Sequence, residues 1–214
     1  MDAPRSILSS KAARSIALDA FERLVVVFLF GRFAFKMLDA PAGGVDFVTI
    51  LILLSEILPV IFILSRRRSE AVSRRFSDWL LGISGATLPL LVNPTGPASL
   101  VPHGICAVIM LAGLYLQISA KLSLGQSFGL VAANRGIKVI GPYRFVRHPM
   151  YAGYMIAHSG FLLAFPSLWN VSLYSAEFVV QVARLLREER FLTQDREYRA
   201  YAARVRYRLL PAIF

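Results

Sequence analysis

The stretch GPYRFVRHPMYAGYM, residues 141–155, sets a basic and aromatic run directly against a proline and then an apolar segment. Basic residues that stop where a hydrophobic run begins are typical of the cytoplasmic end of a transmembrane helix. The composition agrees, because 56% of the 214 residues are hydrophobic and only 17% are charged, whereas soluble domains carry about 25% charged residues. The sequence therefore predicts an all-α integral membrane protein.

Six apolar segments approach the roughly 20 residues that a helix needs to cross a bilayer. The first is interrupted by Arg32 and Lys36, the third is short and contains Pro89, and the fifth is also short. We therefore expect a polytopic bundle of about six transmembrane helices, or about five, followed by a C-terminal cytoplasmic helical tail. The segments are residues 21–38, 47–64, 79–93, 101–119, 150–165 and 168–186.

The basic residues indicate on which side of the membrane each connection lies. The turn-rich segments 39–46 and 93–102 hold no Lys or Arg, whereas all of the 24 basic residues except Arg32 and Lys36 lie in the other connections, in the termini or at the ends of spans. By the positive-inside rule we expect both termini in the cytoplasm, and the inner membrane of a bacterium as the location. The net charge of +11 is therefore a topology signal and not a nucleic-acid footprint.

The segment around Pro149 predicts an anion-binding site, and no metal site is predicted. Proline suits the first position of a helix, where its missing N–H costs nothing, so the next backbone amides point towards the cytoplasm at the positive end of the helix dipole. The alternative is a basic membrane anchor with an interfacial tyrosine. The predicted site consists of Arg144, Arg147, His148 and the amides of Met150, Tyr151 and Ala152.

Two glutamates stand in VARLLREERFL, residues 182–192, where the sixth span re-enters the cytoplasm. A helix C-terminus favours cations, so Glu188 and Glu189 together indicate a binding role. The alternative is that the helix continues and Arg184, Arg187 and Arg190 pair with the acids, more readily with one of them than with both.

A polar stripe runs along the sixth span. Spacings of four, three and four residues place its members on one helix face, and an ionisable residue inside a span is unfavourable unless it faces protein or a wet cavity. We therefore predict the wall of a polar cavity open to the cytoplasm. His158 lines it or makes a helix–helix hydrogen bond, and Glu56 is a lower-ranked candidate. The stripe is Glu177, Gln181, Arg184 and Glu188.

The anion-binding site and the acidic pair are joined by a short hairpin through FPSLWN, residues 165–170. Antiparallel packing of the last two spans brings their cytoplasmic ends together. A ligand that uses both features carries a carboxylate and a cation. S-adenosylmethionine fits this description, with its carboxylate at the basic segment and its ammonium or ribose hydroxyls at the glutamates.

Residues 110–214 resemble the isoprenylcysteine carboxyl methyltransferases and the wider membrane phospholipid methyltransferases. This resemblance implies a multi-span helical enzyme that binds S-adenosylmethionine in a cytoplasm-facing pocket, while a lipid or lipidated acceptor enters from the bilayer. Residues 1–100 resemble no family and have no assigned role, and the whole chain is expected to form one domain. The matching segments are LSLGQSF (122–128), GPYRFVRHPMYAGY (141–154), Trp169, REER (187–190) and YRAYAARVRYRLLP (198–211).

The resemblance also implies which residues contact the cofactor. They come from the start of the fifth span, from the acidic pair and from the tail. The chain departs from the family at TQDREY, residues 193–198, because a Phe-Gly pair is common before the tyrosines. The implied residues are Arg147, His148, Pro149, Tyr151, Gly153, Glu188 or Glu189, Tyr198 and Tyr201.

Direct methyl transfer needs alignment and exclusion of water more than a strong base. A phospholipid amine as acceptor would lose a proton to His158 or Glu177, whereas a carboxylate like that of an isoprenylcysteine would be held by Arg184 or Arg204. Two other functions stay open. One is a nicotinamide-dependent membrane reductase of the sterol-reductase type, and the other is a non-catalytic lipid-binding or transport protein.

Overall fold

The computed structural model of the protein describes residues 3–39, 45–65, 76–124 and 139–211. These residues form α-helices joined by short connections, with no strand among them, which confirms the all-α prediction for this part of the chain. The helices are α1 Ala3–Leu38, α2 Phe47–Ser65, α3 Phe76–Thr87, α4 His103–Leu124, α5 Pro149–Ala164, α6 Leu168–Leu192 and α7 Arg196–Arg204, with 3₁₀ turns at Leu88–Leu91 and Gly141–Arg144.

Some of the predictions concern residues that the structure does not describe. The basic segment between α2 and α3, residues 66–75, is among these. The same holds for residues 125–128 of the LSLGQSF motif and for the two basic residues Arg135 and Lys138.

Local sequence explains where the helices of the C-terminal half begin and end. Pro149 occupies the first turn of α5, as predicted, because its fixed backbone angle suits that position. The hydroxyl of Ser167 caps α6 by accepting a hydrogen bond from the amide of Asn170 at 3.1 Å. Asp195 caps α7 through the amide of Glu197 at 2.7 Å. In the N-terminal half, α3 gives way to a 3₁₀ turn that contains Pro89, because proline removes a helical hydrogen bond.

The turn between α5 and α6 is fixed by the buried side chain of Asn170. Its amide nitrogen donates to the carbonyls of Asn93 at 2.8 Å and of Phe165 at 2.9 Å, and its oxygen accepts from the amide of Asn93 at 2.9 Å. These bonds tie the hairpin to the segment that follows α3. The α5–α6 hairpin predicted from the sequence is therefore present, and it is anchored at the end opposite to the acidic pair.

Glycines allow α4 and α5, which form the most extensive helix pair of the described part, to pack closely. A Cβ on Gly113 would lie 2.5 Å from the amide nitrogen of Ala157, and one on Gly160 would lie 2.9 Å from the carbonyl oxygen of Cys106. Small residues that let helix backbones approach are common where helices pack without a large hydrophobic gain. The α4–α5 interface therefore depends on the absence of these side chains.

One apolar core connects α1, α2, α4, α5 and α6, and Cys106 lies in it as a buried free thiol. Large apolar side chains also remain exposed on the outer faces of α1, α2 and α4. Such a surface is unusual for a soluble monomer. Examples are Phe28, Phe35, Leu54, Val108 and Leu122.

Among the described helices, α4 is the one that is long and apolar enough to cross a membrane. The stretches Phe47–Ile61 and Leu80–Leu91 are apolar but shorter. The prediction of about six transmembrane helices is therefore confirmed only as an all-helical fold. Ionisable groups inside α1 and α6, and the length of 16 residues in α5, explain why these helices fall short of the criterion that α4 meets.

Replacement of Gly113 by Ala should destabilise the protein. The new methyl group would meet backbone atoms of α5, which cannot swing aside, and overpacking of this kind costs about 1–3 kcal/mol. The measurement is thermal unfolding of the purified protein in detergent.

Gly104→Ala is the matched control, because Gly104 lies in the same helix and a Cβ there would meet nothing within 4 Å. This variant should be as stable as the wild type or slightly more stable. Equal stability of the two variants would contradict the close α4–α5 contact.

Candidate functional site

The carboxylate of Glu189 lies at the centre of a buried network, which we call the Glu189 cluster. Oε1 accepts hydrogen bonds from Arg147 Nε at 2.7 Å and from the Tyr198 hydroxyl at 3.2 Å. Oε2 accepts from Arg147 Nη2 at 3.0 Å and from Arg208 Nε at 2.6 Å. His148 Nε2 lies 3.2 Å from Oε1. The cluster therefore joins the segment before α5, the end of α6, α7 and the C-terminal tail.

The tail also pairs with the segment before α5 through backbone atoms. The amides of Arg147 and His148 donate to the carbonyls of Tyr207 at 2.9 Å and of Arg208 at 2.8 Å. Nη1 of Arg147 donates hydrogen bonds to the carbonyls of Ala202 at 3.4 Å and of Val205 at 3.3 Å. The tail thus lies against the start of α5, and Arg147 is the residue that holds it there.

Electrostatics keep Glu189 ionised. Burial alone would raise the pKa of its carboxyl group, but the hydrogen bonds from His148 and Arg208, together with the positive charge of Arg147, lower it to about 2. The side chain is a permanent anion at physiological pH, and the cations around it are its counterions.

The two tyrosines of α7 close this network from the outside. Their rings meet edge to face with centroids 5.7 Å apart, and the Tyr201 hydroxyl donates to the carbonyl of Tyr143 at 2.8 Å. Burial raises the pKa of Tyr201 to about 12 and also raises the pKa of Tyr198. Both hydroxyls are therefore neutral donors, which is what their partners require.

Glu188, the other member of the acidic pair, has a different environment. It is half-buried and accepts a hydrogen bond from the Tyr151 hydroxyl at 3.0 Å. The Tyr151 ring lies 5.8 Å from the His148 ring and 5.6 Å from the guanidinium carbon of Arg184. Glu188, Tyr151 and Arg184 thus place an acid, an aromatic face and a cation beside the Glu189 cluster.

Arginines do neutralise Glu189, but they are Arg147 and Arg208 and not the neighbouring arginines of α6 that the alternative named. The anion-binding site is narrower than predicted. Ala152 was expected to offer a free amide, but this amide donates to the carbonyl of His148 at 3.2 Å, because the helix is already regular at that position. The Arg147 guanidinium, also expected to meet an anion from outside, is bound to Glu189, and Arg144 is exposed.

The polar stripe of α6 is present with the predicted spacing. Gln181 Nε2 donates to Glu177 Oε1 at 2.8 Å, and Arg184 Nη1 donates to Gln181 Oε1 at 2.9 Å. Glu177 and Gln181 are buried. The stripe is therefore hydrogen-bonded from Glu177 to Arg184, and Glu188 is the next residue on the same helix face.

The deep end of the stripe meets His158 of α5 and Glu56 of α2. His158 Nε2 lies 2.9 Å from Glu56 Oε1, and His158 Nδ1 lies 3.4 Å from Glu177 Oε2. All three side chains are at most 5% exposed. The sequence ranked Glu56 low, although an acid inside a very apolar segment was the signal that pointed to it.

Three other predicted site residues make none of the contacts described above. Gly153 faces α4, where a Cβ would lie 2.8 Å from the carbonyl oxygen of Gly113, so its small size serves helix packing. Pro149 is buried in the first turn of α5. Arg204 is exposed in the last turn of α7. Arg208 was not singled out, because the pattern of the tail gives no indication of which of its arginines turns inward.

Glu189→Gln should lower the free energy of unfolding by about 3 kcal/mol at neutral pH, because it leaves a buried guanidinium without its counterion. Glu197→Gln removes a carboxylate from the exposed first turn of α7 and should change stability by less than about 1 kcal/mol. Thermal or denaturant unfolding in detergent measures both. Equal effects of the two substitutions would contradict the role given to Glu189.

The same pair of proteins predicts a pH dependence. The pKa of Glu189 is lowered from 4.5 to about 2 on folding, so its contribution is fully present above about pH 4.5 and is lost as the pH falls towards 2. The difference in stability between wild type and Glu189→Gln should therefore shrink over this range. A difference that stays constant down to the acid end would show that Glu189 is not ionised in the folded protein.

Comparison with known proteins agrees with this geometry. Residues 102–199 match the phospholipid methyltransferase family, whereas no curated protein is similar enough to the chain to count as a relative. The matched segment runs from the start of α4 into α7 and includes His148, Tyr151, Glu188 and Glu189. Methyltransferases of this family act on lipid-like substrates. The resemblance noted in the sequence is therefore confirmed by the match of residues 102–199 to the phospholipid methyltransferase family.

Proposed function

We propose that the protein is an integral membrane enzyme that transfers a methyl group from S-adenosylmethionine to a lipophilic acceptor at the cytoplasmic face of the membrane. The observation that supports this most directly is the Glu189 cluster. It joins GPYRFVRH (141–148), REER (187–190) and the tail, which are the segments that carry the family resemblance. Segments far apart in sequence thus come together at one side of the candidate site.

The residues beside the Glu189 cluster have the chemistry that is required to bind S-adenosylmethionine. Glu188 offers a carboxylate to a cation, the Tyr151 ring offers an aromatic face that attracts a sulfonium, and the start of α5 offers backbone amides to a carboxylate. Arg147, His148 and Glu189 hold these groups in place. When bound, S-adenosylmethionine supplies an electrophilic methyl group, and the surrounding residues align it and exclude water.

The membrane setting is part of the proposal. The exposed apolar side chains on α1, α2 and α4 suit contact with lipid tails, and α4 has the length and composition of a transmembrane helix. We infer a multi-pass protein with both termini in the cytoplasm of a bacterium, in which residues 1–214 form one domain. The acceptor then reaches the site from the bilayer.

The proposed catalytic side chains depend on the acceptor. A phospholipid amine would give up a proton to His158 or Glu177, which lie together in the interior. A carboxylate like that of an isoprenylcysteine would be held by Arg184, which lies beside Tyr151, or by Arg204 at the exposed end of α7.

Ligand-dependent stabilisation tests the donor. S-adenosylhomocysteine at about one hundred times its dissociation constant should stabilise the detergent-solubilised protein by about 2.7 kcal/mol, whereas NADPH should have no effect. Thermal unfolding with and without each ligand is the measurement. Stabilisation by NADPH alone would favour the nicotinamide-dependent reductase instead.

Glu188→Gln should weaken S-adenosylhomocysteine binding at least tenfold, because a charge-assisted contact contributes roughly 1.5–3 kcal/mol. Its fold should persist, since the partner of Glu188 is a neutral hydroxyl. Glu197→Gln is the control for loss of a carboxylate elsewhere and should bind like the wild type. Unchanged binding by Glu188→Gln would remove Glu188 from the site.

A further inference from the structure

A second group of ionisable side chains lies deeper in the protein than the Glu189 cluster. Glu56, His158 and Glu177, which we call the triad, come from α2, α5 and α6 and are almost completely buried. Along α5, His158 is seven residues beyond Tyr151, which corresponds to about 10 Å of helix. The triad is thus separate from the proposed donor site, and Glu56 lies outside the segment that matches the family.

The contacts of the triad indicate how its protons are shared. Each ring nitrogen of His158 faces a carboxylate oxygen, at 2.9 Å on one side and 3.4 Å on the other. Each of these contacts needs one proton, and a neutral imidazole supplies only one. Two protons shared among two carboxylates and one imidazole give the triad a net charge of about −1. One more proton would make these three side chains neutral as a group.

Two polar atoms next to the triad point to a ligand. The Tyr174 ring stacks on His158 at 4.9 Å, and its fully buried hydroxyl has no hydrogen-bond partner among the described residues. Gln117 donates from Nε2 to the Ser55 hydroxyl at 3.0 Å, and its buried Oε1 likewise has no such partner within the described part of the chain. Unsatisfied buried polar atoms are uncommon in folded proteins.

Among the described residues, two cations lie near the triad. Lys121 of α4 lies 5.1 Å from the centre of the Tyr154 ring, which in turn stacks on His158, and Arg184 reaches the triad through Gln181. These cations offset the negative charge of the triad. The site is therefore not a simple trap for an external cation, and its distinctive property is a buried group of side chains that holds protons.

We propose that Glu56, His158 and Glu177 form the proton-accepting site for the methyl acceptor, whose nucleophile is therefore a thiol or an amine and not a carboxylate. This inference rests on the proposed methyl transfer. Gln117 Oε1 and the Tyr174 hydroxyl are the buried polar atoms that would contact the S–H or N–H group beside the triad. Glu56 is a positioning residue, because it acts by fixing the His158 ring.

The reaction balances with the triad as the proton acceptor. A lone pair of the sulfur or nitrogen forms a bond to the methyl carbon, and the carbon–sulfur bond of the sulfonium breaks with its electron pair remaining on the departing sulfur. The proton of the thiol, or one proton of the resulting alkylammonium, passes to the triad. A carboxylate acceptor has no proton to lose and would leave this site without a purpose.

The test uses the full chain in detergent micelles with methyl-labelled S-adenosylmethionine and three probes of equal chain length: dodecanethiol, dodecylamine and dodecanoate. We expect label in the thiol or the amine and none in dodecanoate. Transfer to dodecanoate, or to none of the three probes, would overturn the proposal.

A fourth probe separates proton removal from a structural role. An alkylated thiophenol is largely ionised at neutral pH and needs no base. Glu56→Gln and Glu177→Gln should slow transfer to dodecanethiol about 100-fold, which is within the range of general base catalysis, and transfer to the thiophenolate less than about threefold. Equal slowing of both probes would show that the triad only supports the fold.

Two further measurements keep the outcomes distinct. S-adenosylhomocysteine should stabilise Glu56→Gln as much as the wild type, and Glu197→Gln should transfer like the wild type. Loss of donor binding in the wild type itself would refute the proposed function, not only this inference.

Tyr174→Phe removes only a hydroxyl without a hydrogen-bond partner, so it should fold and raise the KM for dodecanethiol about tenfold. An unchanged KM would exclude Tyr174 from the site.

Discussion

The ionised carboxylate of Glu189 is the interaction on which the arrangement of the candidate site depends. It binds the guanidinium groups of Arg147 and Arg208 and lies beside the ring of His148. Because the charge is buried, each partner is needed to offset the loss of hydration. The start of α5, the end of α6 and the tail therefore adopt their positions together, and a ligand between them meets groups that are already oriented.

A second polar system lies deeper in the protein, and the stripe of α6 extends from it towards the Glu189 cluster. In this stripe, Gln181 donates to Glu177 at 2.8 Å and Arg184 donates to Gln181 at 2.9 Å. Buried ionisable groups in apolar surroundings are unfavourable unless they are paired. The Glu189 cluster and the triad lie at different depths in the protein, so each can have a different function. Under our proposals, one holds the methyl donor and the other receives the proton of the acceptor.

Features that depend on neighbours in sequence were predictable. The start of α5 at Pro149 and the short α5–α6 hairpin follow from residue type and turn length. The row from Glu177 to Glu188 follows from helical periodicity, because residues three and four apart share a face. The family resemblance held for the same reason, since its motifs are local runs of residues and the family match covers residues 102–199.

The sequence by itself thus determined an all-helical chain, the positions of its polar residues along each helix and the motifs of a methyltransferase family. Only the tertiary structure decided that Arg208 turns inward to Glu189, that Gly153 serves packing against α4, and that Glu56 reaches across 102 residues to His158. Helix geometry fixes which residues share a face, but it does not fix which faces meet. That choice is made by close packing and by the need of each buried charge for a partner, and both act between segments that are distant in sequence.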